Sequence, residues 1–133
     1  MRFVHTALFK TAVIKGIKTV IKRFQVGSRM SQAVSYNGFV FIAGQVAEDR
    51  TADIQTQTRS VLQKIEELLA EAGTDKSKLL SVEVFLPAIV DFDKLNEIYD
   101  AWIDPENPPA RACLEARLAD PLILVEMTAI AAV

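Results

Sequence analysis

The chain has 133 residues, of which 50% are hydrophobic and 24% charged, with a formal net charge of −2. This length fits one domain with its own core, and the composition excludes an intrinsically disordered chain. The charge balance argues against nucleic acid as a partner, and no apolar run reaches the ~18 residues that a membrane span needs.

The single cysteine, Cys113, excludes an internal disulfide, and the single histidine, His5, excludes a histidine-based triad or a histidine-rich metal site. A lone thiol fits a reducing compartment, and we expect the protein in the cytoplasm.

The N-terminal region is basic, because seven lysines and arginines precede residue 30 and no acidic residue precedes Glu48. Apolar residues recur at helical spacing in MRFVHTALFKTAVIKGIKTVIKRF, so a basic amphipathic helix at a membrane surface or a targeting segment is one interpretation. The interpretation we adopt is a disordered or partly ordered extension over residues 1–17, followed by a single domain over residues 18–133.

The first half of this domain predicts a strand, a hairpin and a helix. The first strand lies around Lys18 to Gln25. MSQAVSYNGFVFIAGQ then predicts a hairpin, because Asn-Gly between two apolar runs is the strongest short hairpin signal; its second strand is Phe39 to Ala43, and Gly44 ends it. An amphipathic helix follows over residues 53–72, with Gly73 directly after its C-terminus.

The second half predicts strand, helix, strand and strand. LLSVEVFLP gives a strand from Leu79 to Leu86, and Asp91 is the predicted N-cap of a second helix. We interpret the aromatic side chains on the inner face of that helix as core, in preference to a platform for stacked bases. The loop DPENPP leads to a strand from Arg111 to Ala116, and the last strand spans Leu122 to Ala131.

The resulting order, β-β-β-α-β-α-β-β, predicts an α+β fold in which two helices pack on one face of a mixed sheet. Two helices cover only one face. The half-apolar opposite face predicts association with further copies of the chain.

Two charged residues interrupt the apolar C-terminal strands, Arg111 and, fifteen residues later, Glu126. Strand alternation places Arg111 and Cys113 on one face, and the short connection predicts antiparallel pairing that sets Glu126 beside them. An arginine can anchor a small carboxylate, and a glutamate can orient and deprotonate water. A structural salt bridge is the alternative that the residues alone leave open.

Three segments together resemble the RidA/YjgF family of enamine/imine deaminases: RMSQAVSYNGFVFIAGQV, DFDKLNEIYDAW, and PPARACLEARL followed by VEMTAIA. The similarity extends from Gly27 to Val133, and its most specific part is the P-A-R-x-C-x-E segment with a glutamate fifteen residues after the arginine. The resemblance implies a chorismate-mutase-like α+β fold, a homotrimer, and active sites in the clefts between subunits.

The resemblance also implies roles for individual residues. Arg111 would bind the substrate carboxylate, and Glu126 would position the water that attacks the imine carbon. The backbone around Cys113 would hold the substrate nitrogen and the water, and Asn96 would lie near the site. The implied reaction converts a 2-imino acid such as 2-iminopropanoate or 2-iminobutanoate into a 2-oxo acid and ammonia, without a metal or an organic cofactor.

Two positions depart from the family pattern. Met30 and Ala43 stand where the best-known members have a tyrosine that covers the substrate and a serine, which implies a less polar pocket and a larger or more apolar imine. Two alternative functions stay open at this point. One is a non-catalytic trimer of the same fold that binds a small carboxylate, and the other is an endoribonuclease-like role on RNA.

Overall fold

The computed structural model describes residues 20–133, so the predicted extension over residues 1–17 lies outside the described residues. The elements are, in order, β1 (Lys22–Val26), β2 (Ser31–Tyr36), β3 (Phe39–Gln45), α1 (Ile54–Glu71), β4 (Leu79–Leu86), α2 (Phe92–Trp102), β5 (Ala110–Glu115) and β6 (Glu126–Ala132). Short 3₁₀ turns precede β4 and α2. This succession confirms the predicted order, although β1 and β6 each begin four residues later than expected.

The six strands form one mixed sheet in the order β1-β2-β3-β6-β4-β5. Neighbouring strands are antiparallel except β4 and β5, which are parallel. Asn37 and Gly38 have φ values of 53° and 84° and join β2 to β3. Positive φ at both turn residues is the geometry that a two-residue hairpin loop needs, and the predicted hairpin is confirmed.

The predicted antiparallel pairing of the two C-terminal strands is wrong, because β4 lies between β5 and β6. Through α2, β5 pairs in parallel with β4, and a crossover helix of this kind covers the sheet face over which it passes. The chain then needs ten residues, 116–125, to cross β4 and enter the sheet as β6. The sequence pattern assigned Leu122–Val125 to the strand and so made this connection too short.

Both helices pack on one face of the sheet, and the core lies between the two layers. Its fully buried side chains include Val40, Val82, Val84, Leu86 and Met127 from the strands and Val61, Ile65, Leu69 and Leu95 from the helices. Burial of each such side chain contributes about 1.5–3 kcal/mol. The prediction of two helices on one face of a mixed sheet is confirmed.

Of the two helices, α1 begins with a side-chain N-cap and α2 does not. Asp53 accepts a hydrogen bond from the Thr56 amide at 2.8 Å, and Gly73 follows α1 with a φ of 85°. Asp91 does stand at the start of α2, but its side chain caps no amide, because the 3₁₀ turn Ile89–Asp91 leads directly into the helix. Neither helix within residues 20–133 is long and apolar enough to cross a membrane.

The opposite face of the sheet, which we call the open face, has no helix from residues 20–133 over it. Phe39, Phe41 and Leu114 lie there with 41%, 46% and 46% of their surface exposed. Large aromatic and aliphatic side chains at this exposure form an apolar surface that favours association. The sequence-based expectation of one uncovered face is therefore met.

Candidate functional site

The predicted site residues fall on opposite faces of the sheet. Residues paired across neighbouring strands point to the same face. Arg111 pairs with Val82, which is buried beneath the helices, whereas Glu126 pairs with Phe85 on the open face. Within residues 20–133, neither Arg111 nor Glu126 has an ion-pair partner. One chain therefore does not bring the two charges together.

Arg111 lies at the edge where β5 meets α2. Its guanidinium carbon is 4.6 Å from the centroid of the Tyr99 ring and 5.9 Å from that of Phe92. Phe92, Asn96 and Tyr99 are spaced by four and three residues along α2, so they share one face of the helix. The aromatic rings hold the guanidinium by cation–π contacts at the sheet edge.

Three buried polar atoms in this edge region have no hydrogen-bond partner among the described residues: Arg111 Nη1, Asn96 Oδ1 and the Tyr99 hydroxyl. Burying one such atom without a partner costs about 1–3 kcal/mol, so native proteins contain few of them. Arg111, Asn96 and Tyr99 thus form a polar cluster whose hydrogen-bonding capacity is unused in the single chain.

Cys113 lies two residues beyond Arg111 on the same face of β5 and is half-buried. Burial raises the pKa of its thiol above the usual value, and the nearby Arg111 opposes this by a smaller amount. The thiol therefore stays protonated at neutral pH, which suits a packing residue better than a nucleophile. Burial likewise raises the pKa of Tyr99, against a smaller lowering by Arg111 and with a small further rise from Asp100.

Glu126 lies beside a β-bulge on β3, whose two extra-register residues Ala43 and Gly44 are opposite Thr128. Ile42 pairs with Ala129 but Gln45 with Met127, so β3 contains one residue more than β6 between these pairs. Bulges commonly re-aim backbone beside functional sites. Here the bulge brings Gly44 against Glu126: a Cβ added at Gly44 would lie 2.0 Å from Glu126 Oε2.

The side chain of Gln45 holds the bulge in place. Gln45 is buried, and its Nε2 donates to the Ala43 carbonyl at 2.9 Å and to Gln32 Oε1 at 3.0 Å. Met30, 44% exposed in the turn between β1 and β2, lines a cavity of about 410 Å³ together with Gly44 and Gln45. Met30 thus adjoins the bulge on the side toward α1, whose Lys64 and Leu68 also line this cavity, and Ala43 lies in the bulge itself, both far from β5 in the strand order.

The fully buried Gln57 of α1 fixes the loops on both sides of this bulge region. Its Nε2 donates to the carbonyls of Arg50, Ala52 and Leu122, and its Oε1 accepts from the Leu124 amide. Because one side chain holds the loop after β3 and the loop before β6, the strand ends that present Gly44 and Glu126 have a common support.

Gly44 and Tyr99 are residues of these two regions that the sequence pattern did not single out for a site. The sequence pattern predicts that Gly44 ends a strand, although a glycine inside a strand pattern also signals a bulge or a close approach. For Tyr99, a single sequence contains no signal that separates a packed aromatic ring from a ring with an unpaired hydroxyl. Within residues 20–133, no group of three or more metal-ligating side chains is arranged to hold a metal ion.

The chain belongs to the RidA/YjgF family. Residues 20–133 match the family model described as "Endoribonuclease L-PSP". A RutC family protein of Haemophilus ducreyi is 41% identical over 114 residues, which cover 86% of this chain and 97% of the relative. The RutC family protein YoaB of Escherichia coli K12 is 34% identical over 113 residues, covering 85% and 98% of the two chains.

Solved structures agree with this family. The crystal structure of a YjgF family member from Neisseria meningitidis superposes with a TM-score of 0.83 at 38% identity, covering 86% of this chain and 96% of the other. A YjgF/YER057c/UK114 family member from Mycobacterium tuberculosis gives a TM-score of 0.78 at 26% identity, covering 86% and 100%. The predicted RidA-like fold is therefore confirmed.

Proposed function

We propose that the protein hydrolyses 2-imino acids, formed from enamines such as 2-aminoacrylate, to 2-oxo acids and ammonia. The observation that carries this proposal is the buried, unpartnered Nη1 of Arg111. A guanidinium that is held by two rings and lacks an ion-pair partner in the described chain is suited to an incoming carboxylate. Its planar fork of donors matches the two carboxylate oxygens of a 2-imino acid.

The chemistry needs one further group, a base that activates water, and we assign it to Glu126. The carboxylate accepts a proton from water as the water oxygen attacks C2 of the imine. Glu126 passes this proton to the imine nitrogen, which gives a carbinolamine. The carbinolamine hydroxyl then gives its own proton, again through Glu126, to the same nitrogen as the C–N bond breaks and ammonia leaves. The carbonyl of the 2-oxo acid forms at C2, so water is the only co-reactant.

We further propose that each site is built between copies of a homotrimer. Arg111 and Glu126 lie on opposite faces of one sheet, so a site that uses both needs Arg111 from one copy and Glu126 from another. The apolar open face offers the surface on which copies would pack. Cys113 and Asn96 would lie on the Arg111 side of the cleft.

Met30 and Ala43 would line the cleft on the Glu126 side. Neither side chain offers a hydroxyl, so this wall favours an imine with an apolar side chain over a polar one. Among 2-imino acids, we therefore expect 2-iminobutanoate to be preferred to 2-iminopropanoate.

A coupled assay tests the reaction. Enzymes that release 2-aminoacrylate and 2-aminocrotonate supply 2-iminopropanoate and 2-iminobutanoate, and the decay of each imine is followed with wild-type protein, with Arg111→Ala and with Arg111→Lys. We expect acceleration by the wild type, loss of it in Arg111→Ala, and partial loss in Arg111→Lys, which keeps the charge but not the fork. A wild type without effect on either imine would reject the deaminase proposal, and an unimpaired Arg111→Ala would reject the assigned anchor.

The same proteins address the alternative of a non-catalytic carboxylate-binding trimer. A small 2-oxo acid that raises the melting temperature of the wild type without any imine turnover would favour binding alone. No contact within residues 20–133 specifically favours the RNA role. The cytoplasm as the location of the protein stays a prediction from its single cysteine.

A further inference from the structure

We infer that Gly44 is a positioning residue for Glu126, because glycine at this position leaves the space in which the Glu126 carboxylate lies. The inference concerns two residues of the same chain and needs no second copy. It rests on the proposed function only in so far as Glu126 is the group that orients water.

The backbone at Gly44 does not itself demand glycine. Among the described residues, the glycines with positive φ are Gly38 and Gly73, so Gly44 has a conformation that other residues adopt. Glycine is required because the Glu126 side chain occupies the space that a Cβ atom would need. A Cβ at Gly44 would lie 2.0 Å from Glu126 Oε2, 3.0 Å from its Cδ and 3.4 Å from its Cγ.

The β-bulge explains why Gly44 points toward Glu126. In a regular register, Gly44 would follow Ile42 by two residues and pair with Met127, which is buried beneath the helices. The bulge gives that place to Gln45, which is only 5% exposed and donates to the Ala43 carbonyl. The extra residue thus interrupts the alternation of β3 residues between the two faces of the sheet, and Gly44 faces the side chain of Glu126 on β6.

An added methyl group would therefore displace the carboxylate and leave the fold intact. The atom in closest conflict is the far end of a flexible side chain, and ordinary contact at 3.4 Å requires Oε2 to retreat by about 1.4 Å. Misplacing a catalytic group by about 1 Å can lower a rate by about 100-fold. We expect Gly44→Ala to lower kcat by about 100-fold and to change KM little, since Arg111 is untouched.

A matched glycine provides the control. Gly27 also lacks positive φ, and a Cβ added there would meet only the Met30 carbonyl oxygen, at an ordinary 3.5 Å. Gly27→Ala should keep the wild-type kcat. A Gly44→Ala protein that retains wild-type kcat, at a melting temperature equal to that of Gly27→Ala, would overturn the inference.

A double-mutant cycle tests whether Gly44 acts through Glu126. Glu126→Asp shortens the side chain by one methylene, which withdraws the carboxylate from the added methyl group. If Gly44 acts only by leaving room for Glu126, Gly44→Ala should lower kcat little further in the Glu126→Asp background. Losses that multiply would show an independent role for Gly44 and contradict the inference.

A readout without turnover separates this inference from the deaminase proposal. In protein labelled with ¹³C at the glutamate carboxyl carbons, the Glu126 resonance is assigned by its disappearance in Glu126→Gln. We expect the resonance to move in Gly44→Ala and to stay in place in Gly27→Ala. A resonance that does not move rejects the positioning role even if the wild type is active. A resonance that moves in a protein without imine turnover supports the positioning role while the deaminase proposal fails.

Discussion

The two faces of the sheet differ sharply although the same strands build both. Val40 and Phe41 are adjacent in β3, yet Val40 is 0% and Phe41 46% exposed. Beneath the helices, the sheet is packed like the interior of any stable domain. On the open face, Phe39 and Phe41 lie against each other, with ring centroids 6.3 Å apart, but no helix of the described chain covers them. A single copy therefore has one packed face and one apolar face that its own helices leave exposed.

Arg111 and Glu126 are divided between the same two faces of the sheet. Arg111 belongs to the helix-covered face, where Tyr99 and Phe92 hold its guanidinium at the sheet edge. Glu126 belongs to the open face, where Gly44 leaves room for its carboxylate. Arg111, the proposed anchor, is thus fixed by packing within one copy, while Glu126, the proposed base, lies on the face where we propose that a second copy binds. A site that uses both residues has to include both faces.

Complementation between two inactive variants should show the largest effect of this division between the two faces. Arg111→Ala and Glu126→Gln should each abolish imine hydrolysis as pure proteins. When they are co-expressed and form mixed trimers, each site draws its arginine and its glutamate from different copies. A cyclic trimer that contains both variants has one intact site of three, so the mixed trimers should recover about a third of the wild-type activity. Co-purification on two tags isolates the mixed trimers for the rate measurement.

Absence of recovered activity in verified mixed trimers would show that one copy supplies both residues to a site. The opposite faces seen in the single chain would then have to be reconciled by a rearrangement of β5 or β6. Mixing the two variants after separate purification, without exchange of subunits, should restore nothing and serves as the control.

A charge placed on the open face tests whether that surface is an interface. Phe41→Asp would bury a carboxylate in the proposed contact between copies, and an unpaired buried charge costs several kcal/mol. We expect the mass measured by light scattering to fall from three times 14.7 kDa to the monomer value. Val90→Asp is the control, because Val90 is 83% exposed in the 3₁₀ turn before α2. A trimer that survives Phe41→Asp would assign the interface to another surface.

The outline of the fold was predictable because its signals are local. Helical periodicity over residues 53–72, the Asn37-Gly38 turn and the strand Leu79–Leu86 each depend on residues close together in sequence. All three appear as expected, the strand at its predicted bounds. Because two predicted helices can cover only one face of a sheet, the covered face and the uncovered face were predictable from the number of helices and strands.

The relation between Arg111 and Glu126 was not predictable in the same way, because it depends on strand order. The choice between β6 and β4 as the partner of β5 is made by tertiary packing through α2, and no local pattern reports it. The bulge at Gly44 is likewise a matter of register between distant strands. Candidate residues could thus be named from the sequence, while their placement on two faces required the structure.

On the helix-covered face, the removal of buried methyl groups should lower the free energy of unfolding. Val84→Ala deletes two methyl groups from a side chain that is 0% exposed and should destabilise the protein by about 2–3 kcal/mol. Val90→Ala makes the same chemical change at 83% exposure and should change stability by less than about 0.5 kcal/mol. The measurement is the urea midpoint at one fixed protomer concentration with an unchanged m-value. Equal effects at the two positions would contradict the assignment of Val84 to the core.

The smallest expected effect concerns the Tyr99 hydroxyl, and its direction is the informative part. In the described chain this buried hydroxyl has no hydrogen-bond partner, so its burial opposes folding. Tyr99→Phe keeps the ring beneath Arg111 and removes the unpaired group, and we expect it to stabilise the unliganded protein by about 1 kcal/mol. The melting temperature should rise accordingly. A fall would show that the hydroxyl has a partner in the assembled protein, and that the polar cluster of Arg111, Asn96 and Tyr99 is already satisfied before any carboxylate binds.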